Sequence, residues 1–110
     1  MRTEEKVKKE PRIILIVQTD IDPEMEEEFN RWYEEEHIPL LLKVPGVLSA
    51  KRGISQEGSP KYFSIYEHEN IDVQKSPAYR KAVETEWTKR IRPHFKNFAR
   101  KVLFQIFPNS

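Results

Sequence analysis

The stretch FNRWYEEEHIPLLLKVPGVLSAKR, residues 29–52, passes from a helical pattern to a strand pattern through a proline and a Pro-Gly pair. Before Pro39, apolar side chains recur at helical spacing and mark a buried helix face: Met25, Phe29, Trp32 and Tyr33. Pro39 disfavours helical geometry at the residue before it, so we predict that the helix ends near His37. The segment from Val47 to Ile54 has the composition of a strand.

The same two patterns alternate along the rest of the chain. The β-branched and leucine run from Arg12 to Gln18 is typical of a buried strand, and Asp22 followed by Pro23 supplies the start of the first helix. We predict a third strand at Lys61–His68, a second helix from Ser76 to about Arg90, and a fourth strand at Phe98–Phe107. The order β-α-β-β-α-β indicates an α+β, ferredoxin-like fold, with a four-stranded antiparallel sheet and two helices on one face.

The open face of such a sheet should carry a polar residue at every second position. This chain does not follow that rule, because Ile13 to Val17 is apolar on both faces and the fourth strand also alternates apolar side chains on both faces. A second copy related by two-fold symmetry would cover the exposed face. We therefore expect a homodimer in which two sheets pack face to face into an α+β barrel.

Composition limits the class of protein. A chain of 110 residues is one domain by size; we predict a disordered charged leader at residues 1–10 and one folded domain at residues 11–110. There is no cysteine, and no apolar run is long enough to cross a membrane. The 19 basic and 18 acidic residues leave a net charge of +1, which attracts neither nucleic acid nor a membrane surface. We expect a cytoplasmic protein.

Two segments resemble a known family. Residues 29–52, with an aromatic pair, an acidic-His-x-Pro step and a Val-Pro-Gly turn, resemble the EthD-like group of dimeric α+β-barrel proteins. The segment SPAYRKAVETEWTKRIRPHFKNF, residues 76–98, is similar to their second-helix region. The resemblance covers residues 12–107 and implies a homodimer with a ligand pocket between sheet and helices in each protomer. It also implies relatives that include cofactor-free monooxygenases, isomerases, cyclases and haem enzymes, so the reaction stays open.

Two neighbouring residues of the first helix are candidates for catalytic acid–base chemistry. On a projection of 100° per residue, Glu36 lies within the apolar stripe and His37 flanks it. A carboxylate among aromatic rings is costly unless it is paired or protonated, and an imidazole with a pKa near ~6.5 exchanges protons at neutral pH. The structural alternative is that His37 complements the C-terminal helix dipole and that Glu36 bonds to a neighbouring group.

Six further residues are candidates for ligand binding: Trp32, Tyr33, Tyr66, His68, Trp87 and Arg90. Tyr66 and His68 share one face of the third strand, and Arg90 falls within the apolar stripe of the second helix. A phenol or a guanidinium at these positions would hold a carbonyl oxygen or an anion. The alternative is that both tryptophans are core residues and that Arg90 forms an i,i+4 ion pair with Glu86.

We expect neither a cofactor nor a metal. The three histidines come from separate elements and cysteine is absent, which disfavours zinc and haem sites, and the three glycines form no phosphate loop. We therefore predict a small homodimeric protein that binds a largely apolar, carbonyl- or hydroxyl-bearing ligand, as a cofactor-free isomerase, cyclase or monooxygenase. The alternative is a non-catalytic binding or accessory protein whose helix–sheet gap is filled by Trp32, Tyr33 and Trp87.

Overall fold

Four strands form one antiparallel sheet in the computed structural model, which describes residues 10–108. The strands are β1 (Ile13–Ile21), β2 (Val47–Ile54), β3 (Tyr62–His68) and β4 (Phe95–Phe104). Their spatial order is β2-β3-β1-β4, with the most apolar strand, β1, in the interior of the sheet. The predicted ferredoxin-like arrangement is confirmed, although β4 begins at Phe95 instead of Phe98 and ends at Phe104 instead of Phe107. The predicted leader lies outside the described residues, except for Glu10.

The first helical region continues beyond its predicted end. Its segments are α1 (Glu26–Trp32), a π-helical turn (Tyr33–His37) and α2 (Ile38–Leu42). The prediction that the helix ends near His37 is therefore wrong. Pro39 has no N–H to donate, and the wider turn before it shifts the hydrogen bonds: the Ile38 N–H donates to the carbonyl of Tyr33, five residues earlier.

The second helical region consists of two short helices instead of the single one predicted. They are α3 (Pro77–Val83) and α4 (Glu86–Ile91). Ser76 caps α3, because its Oγ accepts a hydrogen bond from the Tyr79 N–H at 3.1 Å. The chain leaves helical geometry at Glu84, and Thr85 then caps α4 by accepting from the Thr88 N–H at 3.0 Å. A second capping residue thus restarts the helix, and periodicity alone did not reveal it.

The helices cover one face of the sheet, and their buried side chains form two clusters against it. Short 3₁₀ turns lie at Pro23–Met25, Val73–Lys75 and Arg92–His94. The first cluster contains Leu15, Leu41, Val44, Val47, Tyr66, Val73 and Ala82. The second contains Ile21, Phe29, Trp32, Tyr33, Tyr62 and Ile91. Burial of these side chains provides the main driving force for folding.

The opposite face of the sheet is apolar at its centre and incompletely buried. Strand register places Ile14 beside Leu103, and Ile16 beside Ile65, on this face. The three isoleucines are partly buried, and Leu103 is 39% exposed. Within one chain, β1 is therefore buried on its face towards the helices, except at partly buried Val17, and incompletely covered on the face away from them.

Candidate functional site

A cavity of about 260 Å³ lies between the helices and the sheet and is bordered by residues of both core clusters. Six aromatic residues line it: Trp32, Tyr33, Tyr66, Tyr79, Phe95 and Phe98. Its other polar lining residues are His37, Thr88, Arg92 and Arg100. Both arginines are exposed, so the cavity opens to solvent where they stand. Trp32 and Tyr33 thus form walls of the cavity and do not fill the space between the helices and the sheet.

His37 lines the cavity from the π-helical turn. Its ring stacks on Trp32, with ring centroids 4.3 Å apart, and its Nδ1 is buried without a hydrogen-bond partner among the described residues. Burial, and to a lesser degree the charge of Arg92, lowers the pKa of His37 from 6.5 to about 4. The imidazole is therefore neutral at pH 7 and retains a ring nitrogen that accepts a proton.

Tyrosine hydroxyls lie on the sheet side of the cavity. Tyr66 Oη is buried and has no hydrogen-bond partner within residues 10–108, whereas the hydroxyl oxygens of Tyr33 and Ser64 lie 3.2 Å apart. Burial is the main reason that the pKa values of Tyr33 and Tyr66 are raised. Both phenols therefore stay protonated in the neutral range. The Tyr66 hydroxyl keeps a proton to donate, although the neighbouring hydroxyls of Ser64 and Tyr33 also affect its pKa.

Glu36 lies outside the cavity lining, but hydroxyl groups connect it to the cavity. The Trp32 Nε1–H donates to Thr88 Oγ1 at 3.0 Å, and the Thr88 and Thr85 hydroxyl oxygens are 3.0 Å apart. The Thr85 hydroxyl in turn donates to the Glu36 carboxylate at 2.5 Å. Glu36 therefore joins the first helical region to the N-terminus of α4, and its only described connection to the cavity runs through the two threonines.

The remaining predicted site residues do not line the cavity. His68 is fully buried on the far side of Tyr79, with ring centroids 5.6 Å apart, and its pKa is lowered mainly by burial. Trp87 Nε1 and Arg90 both donate to the Glu28 carboxylate of α1, at 3.0 and 2.9 Å. Arg90 therefore does not form the expected pair with Glu86, because Glu28 supplies the nearer carboxylate.

The sequence-based candidates omitted four polar lining residues: Tyr79, Thr88, Arg92 and Arg100. Arg100 pairs with Val17 of β1, and the alternation of β4 puts it on the same face as Val102. The alternation of side chains along β4 could therefore have identified Arg100 as a candidate for the cavity lining. Arg92 lies in a 3₁₀ turn after α4, where no periodic pattern indicates the direction of a side chain.

The three histidines do not converge on one point. His37 lies in the cavity, His68 lies beyond Tyr79, and His94 Nδ1 is 2.8 Å from the Asp22 carboxylate. Across residues 10–108, no group of three His, Asp or Glu side chains is placed to hold a metal ion. In the same part of the chain, no helix has the length and apolar character needed to cross a membrane.

Comparison with known proteins adds a family and a set of structural neighbours. Residues 12–105 match the model of a family described as a domain of unknown function, DUF4286. No curated protein matches the sequence.

Solved structures similar to this chain include monooxygenase-like proteins. A candidate antibiotic biosynthesis monooxygenase from Bordetella bronchiseptica has a TM-score of 0.66 at 16% identity, covering 89% of this chain and 100% of that one. Another from Caulobacter crescentus has a TM-score of 0.66 at 14% identity, with coverages of 96% and 99%. A variant of SnoaB, a cofactor-independent oxygenase from Streptomyces nogalater, has a TM-score of 0.59 at 14% identity, with coverages of 89% and 98%. At these identities the likeness establishes the fold, and it confirms that part of the predicted resemblance.

Proposed function

This chain belongs to the DUF4286 family, and we propose that it binds a small, largely apolar molecule with a carbonyl or hydroxyl group in the helix–sheet cavity. The observation that carries the proposal is a pair of buried polar atoms, His37 Nδ1 and Tyr66 Oη, which have no partners among the described residues and whose residues both line one cavity. Buried polar atoms are normally hydrogen-bonded, so two orphans in one aromatic cavity favour a ligand oxygen as the missing partner.

Cofactor-free proton transfer is the chemistry that these groups support best. Neutral His37 would remove a proton from a carbon next to a substrate carbonyl, and protonated Tyr66 would donate a hydrogen bond to the carbonyl oxygen as it gains negative charge. The hydroxyls of Thr88 and Thr85 connect the cavity lining to Glu36, whose carboxylate would take up a proton that leaves the cavity by this route. Isomerisation, cyclisation and cofactor-free oxygenation all begin with such a step.

The structural neighbours support this choice as an analogy. SnoaB is described as a cofactor-independent oxygenase, and it shares the fold but only 14% of the sequence. We also propose that the chain is related to EthD-like proteins, because residues 32–39 carry the aromatic pair and the acidic-His-x-Pro step of that group.

Ligand binding without catalysis is the second candidate. A pKa of about 4 makes His37 a weak base at neutral pH. In a non-catalytic site, the His37 ring nitrogen and Tyr66 Oη would act only as hydrogen-bonding groups for the ligand. Both functions therefore use the same cavity, and only turnover separates them.

We expect 2-tetralone, a neutral bicyclic ketone, to bind in the cavity and to exchange its α-protons in D₂O faster with the protein than without it. Protein amide NMR shifts report binding and its location, and loss of the ligand's α-proton signals reports proton transfer. Tyr66→Phe removes one hydrogen bond and should weaken binding about 3- to 10-fold. His37→Gln should abolish the catalysed exchange while most binding remains.

Tyr62→Phe is the matched control for Tyr66→Phe, because Tyr62 lies on the same face of β3 but gives its hydroxyl proton to Glu26 at 2.5 Å. The control should bind the ketone as the wild type does. Binding without exchange in the wild type would select the non-catalytic function. Failure of the ketone to shift any cavity residue would contradict the proposal.

We also propose that two copies associate through the open sheet face. Ile14, Ile16 and Ile65 are partly buried there and Leu103 is 39% exposed, so a second copy would remove apolar surface from water. Sedimentation equilibrium at micromolar concentration should give twice the mass of one chain. Ile16→Lys should shift the protein towards monomer, whereas Lys81→Glu on exposed α3 should not. A monomeric wild type at that concentration would contradict the dimer.

A further inference from the structure

The cavity lining is positively charged. Arg92 and Arg100 belong to it, and among the residues that the structure describes no aspartate or glutamate does. Each guanidinium bonds to a neutral oxygen: Arg92 Nη2 donates to the Val83 carbonyl at 3.2 Å, and Arg100 Nη2 donates to Gln74 Oε1 at 2.6 Å. Within residues 10–108, neither guanidinium has a carboxylate oxygen within 4.0 Å. Residues 10–108 therefore do not neutralise the positive charge of the cavity.

Arginines outside the cavity show that carboxylates are available on this surface. Arg31, Arg52 and Arg90 pair with glutamates at 3.3, 3.2 and 2.9 Å. The chain as a whole is close to neutral, with 19 basic and 18 acidic residues. Arg12, Arg80, Arg92 and Arg100 have no such partner within residues 10–108, and of these four only Arg92 and Arg100 line the cavity. The unpaired positive charge of the lining therefore lies at its opening.

The apolar part of the lining fits a planar ring system. Six aromatic residues contribute to it, and aromatic rings pack well against aromatic walls in offset and edge-on geometries. The volume of about 260 Å³ lies just below the usual range of ligand pockets, roughly 300–1,000 Å³, which favours a ligand of one or two rings.

We infer that the ligand class of this cavity is a hydroxyl- or oxo-substituted aromatic carboxylate of one or two rings, an inference that rests on the proposed function. The arginines are exposed at the opening, whereas His37 Nδ1 and Tyr66 Oη are buried. The carboxylate therefore lies at Arg92 and Arg100, the rings lie between the aromatic walls, and the second oxygen reaches the two orphan atoms. Planar guanidinium groups suit a carboxylate because they donate two parallel hydrogen bonds.

The test compares 6-hydroxy-2-naphthoate with its neutral amide, 6-hydroxy-2-naphthamide, which has the same shape. Dissociation constants come from amide NMR shifts of the labelled protein at low and high salt. We expect the acid to bind about tenfold tighter than the amide at low salt, with the advantage shrinking as salt rises. Arg92→Gln and Arg100→Gln should each remove part of the advantage, because each lowers the affinity for the acid more than the affinity for the amide.

Arg80→Gln is the matched control, because it removes the same charge from an exposed position that does not line the cavity. It should keep the full preference for the acid. Equal affinity for the acid and the amide, or a preference that survives both cavity variants, would overturn the carboxylate inference and leave the proposed function standing. If neither compound shifts cavity residues, the proposed function falls together with the inference.

Discussion

Replacement of Trp32 by alanine should lower the free energy of unfolding by about 3–5 kcal/mol, the usual cost of removing a large aromatic side chain from a core. Trp32 is 2% exposed and its ring lies 4.7 Å from that of Tyr33 and 4.3 Å from that of His37. Its Nε1–H also donates to buried Thr88. Urea unfolding measures the change, and one fixed protein concentration keeps the concentration-dependent contribution of association the same for both proteins.

Trp87→Ala is the control for this prediction. Trp87 is only partly buried, and its Nε1–H donates to Glu28 near the surface. Its removal should cost clearly less than removal of Trp32, because less apolar surface is returned to water. A loss as large as that of Trp32→Ala would show that the gap between α1 and α4, and not the cavity wall, is the more important packing site.

Lowering the pH from 7.5 to 5 should remove about 2 kcal/mol of stability through His37 alone. The folded-state pKa is about 4 and the unfolded reference is 6.5, so the unfolded chain binds this proton first as the pH falls. The stability contributed by the neutral imidazole is complete above pH 6.5 and is lost progressively down to pH 4. His68, whose pKa is also lowered, shifts stability in the same direction.

Urea unfolding of the wild type and His37→Gln at several pH values between 7.5 and 5 checks this prediction. The variant should lose less stability over this range, because glutamine does not titrate. The carboxyl groups with lowered pKa values contribute little in this window, which lies above their ordinary range near 4. Parallel pH profiles for the two proteins would contradict the placement of His37 in a desolvated site.

The fold could be predicted from the sequence because each signal that specifies it is local. The apolar run of β1, the Ser76-Pro77 start of α3 and the strand at Val47–Ile54 each follow from neighbouring residues, and together they give the element order. The two incorrect helix boundaries also arise from local features of the chain. Pro39 predicted a helix end, but a π-helical turn accommodated the missing N–H, and Thr85 divided the second helix.

The site depended on the tertiary structure for a geometric reason. An α-helical projection places Trp32 and His37 on different sides of the stripe, but the wider π-helical turn advances fewer degrees per residue and stacks their rings. The same turn leaves Glu36 against Thr85 instead of in the cavity.

By themselves, composition and periodicity thus determined the topology of the chain and the apolar character of both sheet faces. They also identified His37 as a candidate for acid–base chemistry. Only tertiary packing decided that Arg92 and Arg100 meet His37 and Tyr66 at one cavity. The physical reason is that these four side chains come from three distant segments, whose mutual positions are set by the fit of helices on the sheet and not by spacing along the chain.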